Sequence, residues 1–242
     1  MAIDGVESPC PPCQSPSHFS QPRHFYVAVD RLQFKMETLV ELLHLVVAGR
    51  RPGLPMIVCC SSRDELDAVC SAVSNLVAIS FSSLHSDLAE TERTLILEEF
   101  RHTAMKWNQK VTEQSGDESE TGKDEHKSHM IVVTDACLPL LSSGESAISA
   151  RVLINYELPT KKETYIRRMT TCLAADGSVI NIVVGGEVVT LRSMEESLGL
   201  IVAEVPINRD STHSTADSPD SSHSSSHRLT DATVRSQSIA SP

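Results

Sequence analysis

Six short apolar runs, separated by segments of helical spacing, constrain this chain more than any other feature. They occupy residues 25–29, 56–60, 77–81, 130–134, 152–154 and 179–184. Each is nearly continuous in hydrophobicity and rich in Val and Ile, the pattern of strands covered on both faces. Between them, Met36, Leu39, Val40, Leu43 and Val47 fall on one helical face at i, i+3, i+4, i+7 and i+11. Leu66, Val69, Cys70 and Val73 do the same, and Leu88, Leu95, Ile96 and Phe100 do so more loosely. Asp64-Glu65-Leu66-Asp67 reads as a helix start. Alternation of this kind predicts an α/β fold, a parallel twisted sheet with helices on both faces. Ligands of such sheets bind beyond the carboxyl ends of the strands.

Composition sets the borders. Residues 1–22 are rich in Pro, Ser and Cys, and residues 210–242 are rich in Ser, so both are expected to be disordered tails around a domain at 23–209. Residues 108–127 are acidic and read as a disordered insertion in that domain. It precedes the strand at 130 and so lies at the amino end of the sheet, away from a ligand cleft. The formal charge is -11, and no segment is strongly basic. This argues against tight non-specific nucleic-acid binding, which Lys and Arg drive by neutralising phosphates, but leaves room for a local RNA contact. Seven cysteines, an odd number, point to reduced thiols rather than a disulfide framework. Cys59 and Cys60 lie in a predicted buried strand, so no catalytic use of them is expected. Cys10 and Cys13 have metal-type spacing, with His18 and His24 downstream, but sit in a Pro-rich stretch, and no metal site is expected. The first residues lack a basic start and an apolar stretch, and no apolar run is long enough to span a bilayer. A cytoplasmic or nuclear protein without a membrane partner is expected.

A series of short motifs adds to this. In order they are Ile57-Val58-Cys59-Cys60-Ser61, Leu84-His85-Ser86-Asp87, Glu90-Thr91-Glu92-Arg93 trailed by Glu99-Phe100-Arg101, Val133-Thr134-Asp135, Ile154-Asn155-Tyr156-Glu157-Leu158-Pro159, and Thr164-Tyr165-Ile166-Arg167-Arg168. Order and spacing together resemble the second RecA-like domain, the helicase C-terminal lobe, of DEAD-box RNA helicases. There the segments read I-F-C-N-T, M/L-H-G-D, Q-x-x-R, T-D, I-N-Y-D-L-P and Y-x-H-R-x-G-R-x-G-R. The resemblance runs from about residue 25 to residue 208. It implies a RecA-like fold, RNA contact at Arg93, Thr134 and Asp135, and a residual nucleotide-cleft motif at Arg167 and Arg168. A plainer reading stands beside it: Arg93 pairs on a helix surface, Thr134 and Asp135 cap a strand end, and Arg167 and Arg168 join Lys161 and Lys162 on a solvated helix face.

The departures from that family are systematic. No Arg or Asp follows Thr134-Asp135 where the family has A-R-G-x-D; in one register Pro139 and Ser142 stand there, in another Ser143 and Ser146. Arg167 replaces the histidine of the last motif, Thr170 and Leu173 replace its glycines, and Thr171 and Ala174 replace its second and third arginines. In the family those arginines stabilise charge on the transferring phosphate, a contribution on the order of 10³–10⁵ in rate. The Gly-rich phosphate loop and acidic metal motif of a first helicase domain do not occur in this sequence either. The nearest match, at 116–124, has the wrong spacing and ends on Asp124. The chain is therefore expected to be a degenerate copy of the lobe without ATPase activity of its own. No cofactor is expected, and ATP with Mg²⁺ only if a separate first domain pairs with it. The expected role is an RNA- or protein-binding or regulatory module, with weak RNA or a protein such as a DEAD-box first domain as partner. The alternatives are an ATP-dependent helicase lobe in RNA metabolism or translation that works only with a separate ATP-binding first domain, and a truncated product with no selected activity.

Overall fold

Strand residues alternate between two faces, and in this chain both faces are apolar, so the sheet must be covered on each side. The computed structural model describes residues 21–49, 53–113 and 127–205, which belong to one compact unit. The elements run β1 (Arg23–Val29), α1 (Lys35–Val47), β2 (Met56–Cys60), α2 (Arg63–Val73), β3 (Ile79–Leu84), α3 (Glu90–Glu113), β4 (Ser128–Thr134), β5 (Ala150–Asn155), α4 (Lys162–Cys172), β6 (Leu173–Val184), α5 (Val188–Leu198) and β7 (Val202–Glu204). Seven strands form one sheet in the order β3-β4-β2-β5-β6-β1-β7. All the pairings are parallel.

Each face has its own core. Met56, Val58, Cys60, Met130, Val132 and Ile154 turn toward α1 and α2, where Leu39, Leu43, Leu66 and Val69 meet them. Ile57, Cys59, Ile131, Val133 and Leu153 turn the other way, onto Leu97, Phe100, Tyr165 and Cys172. The predicted start of α2 holds: Ser62 caps it by accepting from the Glu65 N–H at 3.2 Å, and Asp64 and Glu65 place negative charge at the positive end of the helix.

Four local features differ from the sequence expectation. The third strand begins at Ile79 rather than at 77, and Val77 is 85% exposed. A turn closed by Ile79 N–H onto Leu76 O takes Val77 and Ala78, because pairing with β4 starts at Ile79 opposite Ser128. Residues 108–113, assigned above to the acidic insertion, continue α3. Residues 114–126, residues 1–20 of the expected N-terminal tail and the whole expected C-terminal tail lie outside the described residues, as do Cys10, Cys13 and His18. Finally, α5 and β7 were not read from the sequence. The spacing of Leu191, Met194 and Leu198, followed by Gly199 at φ 62°, was the available signal for α5.

Connections place the functional edge. The carboxyl ends of β2, β4 and β5 align through the pairs Cys60–Thr134 and Cys59–Asn155. From β4 the chain returns to the amino edge through residues 135–149 with only two short 3₁₀ turns, where a helix would be usual for a parallel crossover. In β6, pairing to β5 jumps from Leu173 opposite Ala150 to Ser178 opposite Val152, a bulge that carries Asp176 onto Arg151. Gly177 sits in that bulge, where an added Cβ would fall 2.6 Å from Leu173 Cδ1. Gly177→Ala is expected to lower unfolding free energy by about 1–3 kcal/mol in urea denaturation, as overpacking does.

Candidate functional site

A guanidinium has five N–H donors in a fixed fork and loses water on burial, so it must find acceptors inside the fold. Arg168, on α4, is 0% exposed. Its Nε and Nη2 donate to the two carboxylate oxygens of Asp135 at 2.6 and 2.7 Å. Its Nη1 donates to Asn155 Oδ1 at 3.0 Å and to Glu157 O at 2.8 Å. Its Nη2 also donates to Ser61 Oγ at 3.2 Å. Five donors thus meet acceptors from β2's exit, β4's exit and β5's exit, the three aligned carboxyl ends. Burial works against the charge, but the hydrogen bonds to Asp135 and the field of its carboxylate outweigh it, and the pKa of Arg168 moves up.

The same cluster takes in Asn155 and Glu157 of the Asn155–Pro159 motif. Glu157 Oε2 accepts from the Ser61 N–H at 2.6 Å, tying β5's exit to β2's. Tyr156 turns to the opposite face, under the ammonium of Lys35 at 4.7 Å from the ring centre. Burial pushes its hydroxyl up to about 12. Leu158 is buried in the α3–α4 core.

From Arg168 a polar seam continues through the sheet. Asn155 Nδ2 donates to Asn181 Oδ1 at 2.8 Å, and Asn181 Nδ2 donates to Phe25 O at 2.9 Å and to the Tyr165 hydroxyl oxygen at 3.4 Å. Tyr165 Oη lies 2.8 Å from His24 Nδ1. Either atom of that pair can donate, according to the His24 tautomer. Burial lowers the pKa of His24 and so favours the neutral ring.

The remaining sequence candidates lie around this cluster. Thr134 is buried in the last β4 position, opposite Cys60. Asp135 has both carboxylate oxygens on Arg168. Exposed Arg167 donates to the Asp135 backbone oxygen. Arg93, in the first turn of α3, reaches Glu145 Oε1 at 2.8 Å and Oε2 at 3.4 Å, and Glu90 at 3.2 Å. Position 171, where the resemblance would put an arginine, is turned inward: Thr171 is 3% exposed and donates to Arg167 O at 2.7 Å. Position 174 falls in β6, because α4 passes into that strand without a loop. Burial pushes the thiols of Cys59 and Cys60 up, which leaves no thiolate for nucleophilic chemistry there. A cavity of about 400 Å³, lined by Arg23, Trp107, Arg151 and Asp176 among others, lies at the other, amino edge of β1, β5 and β6. Among the described residues no group of His, Cys, Asp and Glu is placed to hold a metal, and no helix is long and apolar enough to cross a membrane. Sequence reasoning missed Glu145 and the network role of Arg168, because both depend on partners distant along the chain.

This seven-stranded parallel sheet, covered by helices on both faces, has the RecA-like fold seen in DEAD-box helicase C-terminal domains. The comparisons agree. The C-terminal domain of the DEAD-box protein Dbp5 superposes with a TM-score of 0.55 at 19% identity, over 77% of this chain and 91% of that one. E. coli SrmB, in a complex with regulator of ribonuclease activity A, gives 0.55 at 15% identity, over 78% and 92%. Mss116p helicase domain 2, bound to an RNA duplex, gives 0.55 at 15%, over 76% and 64%. In sequence, the chain is similar to DEAD-box RNA helicases of the eIF4A type; the Chaetomium globosum ATP-dependent RNA helicase eIF4A is 27% identical over 190 residues, 77% of this chain. The chain spans about two fifths, 39%, of the length of that relative. No protein-family model matches it.

Two expectations follow from the cluster. Arg168→Leu, which strands Asp135 and the Asn155 and Glu157 acceptors, is expected to cost about 3–5 kcal/mol in chemical denaturation. Adding Asp135→Leu is expected to recover part of that loss. For His24 the folded pKa lies below the unfolded value, so the unfolded chain binds more protons as pH falls through about 6.5. The stability that neutral His24 provides is present above that pH and is lost below it. Denaturant midpoints between pH 7.5 and 5.5 should fall less for His24→Asn, whose side-chain amide can pair with the Tyr165 hydroxyl without titrating, than for the unmodified protein.

Proposed function

We propose that this chain is a non-catalytic counterpart of the helicase C-terminal lobe, a binding module that contacts RNA weakly and does not hydrolyse ATP by itself. The observation that carries this is the full commitment of Arg168. Its five donors all serve its own lobe, and the residue that would bring the next arginine, Thr171, faces the core. Of the two arginines in this motif, Arg168 is committed inside the lobe and Arg167 alone stays exposed, with one donor on the Asp135 backbone oxygen, which supports a lobe that does not complete a phosphate-transfer site by itself. RNA is favoured as ligand by the position of Arg93 on the first turn of α3, beside the carboxyl edge. The likeness to a DEAD-box domain bound to an RNA duplex supports the same ligand. Retained fold with lost chemistry suits a protein that regulates by occupying a surface.

A second reading, in which the partner is a protein, is favoured by the net charge of -11 and by the likeness to a DEAD-box protein that binds a regulator protein. In a variant of it, the partner is a separate ATP-binding first lobe, and ATP with Mg²⁺ would be held mainly by that lobe.

Fluorescence anisotropy of a labelled single-stranded RNA, titrated with the full chain at low and moderate salt, tests the proposal. Saturable binding that weakens with salt and is reduced in Arg93→Ala is expected. No binding at low salt would move the assignment to the protein reading. Alone, the chain is expected to show no RNA-stimulated ATP hydrolysis, and hydrolysis above background would overturn the non-catalytic assignment. Thr171→Arg is expected to restore no hydrolysis and to cost about 1–3 kcal/mol of stability, because the added side chain enters a filled site.

A further inference from the structure

Arg93 is held by the chain itself. Glu145 meets it with both carboxylate oxygens, at 2.8 and 3.4 Å, and Glu90 adds a second carboxylate at 3.2 Å. Glu145 also accepts from the Leu140 N–H, so the carboxylate closes the crossover loop on itself while it grips the helix. The hydrogen bond from Arg93, and then the one from Leu140, hold the Glu145 carboxyl below its usual range. A second arginine of α3, Arg101, binds the next stretch of the same loop, donating to Ser146 O at 2.5 Å and Ala147 O at 3.1 Å. The loop is anchored at its ends by buried Leu138 and Ile148, and Ile148 N–H also donates to Thr171 O at 2.8 Å. Between those anchors residues 140–144 are exposed, and Glu145 reaches inward.

A carboxylate and a phosphodiester oxygen ask the same thing of a guanidinium, two parallel charge-assisted hydrogen bonds. They cannot both have the Arg93 fork, and a phosphate that approaches while Glu145 stays meets like charge. We propose that Glu145 is a built-in competitor for RNA phosphate at Arg93, so that nucleic acid engages α3 only when the crossover loop releases this carboxylate. The inference rests on the RNA reading above and names how that contact is regulated. Affinity of the closed form is reduced by the fraction of molecules in which the loop is released.

The test uses the full chain as the unmodified protein, as Glu145→Gln, and as the double variant Arg93→Ala with Glu145→Gln. Gln keeps an oxygen for the Leu140 N–H and loses the charge, so the loop keeps its closure. With the labelled single-stranded RNA at low salt, Glu145→Gln is expected to bind at least about tenfold tighter than the unmodified protein, and the double variant is expected to lose that gain. Equal affinity of Glu145→Gln and the unmodified protein, or a gain that persists without Arg93, would overturn the proposal while leaving RNA binding itself intact. If none of the proteins binds RNA, the RNA reading fails, and a titration with inorganic phosphate followed by the Arg93 Nε resonance decides the competition. A shift at lower phosphate in Glu145→Gln than in the unmodified protein upholds it, and identical titrations overturn it.

Discussion

A guanidinium sealed from water at the meeting point of three strand ends is the constraint on which the upper half of this structure depends. Arg168 has five donors and no solvent, so β2, β4 and β5 must each end where an acceptor is needed. Ser61, Asp135, Asn155 and Glu157 are those endings. Moving any strand by one residue would exchange the side chains of its two faces and strand part of the fork. Such a buried ionic cluster is weak as a source of net stability, but it penalises other registers heavily, and that is the specificity it provides here.

The cluster continues as a hydrogen-bonded seam to the far side of the sheet. Asn155, Asn181, Tyr165 and His24 pass partners from β5 to β6 to β1, each polar group satisfied by the next. Tyr165 and Arg168 stand one turn apart on α4, so a single helix supplies two members of a seam that ends at His24 on β1. A polar core of this kind tolerates no partial occupancy, because an unmet donor in low dielectric costs more than an apolar replacement. Thr171 is held by partners of its own, donating to Arg167 O and accepting from the Ile148 N–H through its backbone oxygen.

Much of the fold was legible because hydrophobic periodicity is a local property. Six strands and the helices between them follow from short apolar runs and 3.6-residue spacing, and the start of α2 follows from Asp64-Glu65-Leu66-Asp67. Errors came where pairing overrode local preference. Val77 looks like the start of a strand and lies in a turn, because β4 offers no partner before Ser128. Residues 108–113 look like loop by charge and continue a helix, because the apolar side chains of α3 earlier in the chain already anchor it to the core. The site was legible in identity but not in use. The sequence pointed to Arg93, Thr134, Asp135, Arg167 and Arg168, yet did not reveal that Asp135 is wholly taken by Arg168 or that Glu145 faces Arg93 across 52 residues of chain.

By itself, then, the amino-acid sequence determined the α/β architecture and the order of the motifs. It also determined which arginines are absent from the last motif, because periodicity and residue type are carried within a few positions. Only the tertiary structure decided which of the remaining charges are free. Whether a guanidinium can meet a phosphate depends on the carboxylates that reach it first. Those carboxylates, Asp135 and Glu145, come to Arg168 and Arg93 through strand pairing and a crossover loop, from 33 and 52 residues away.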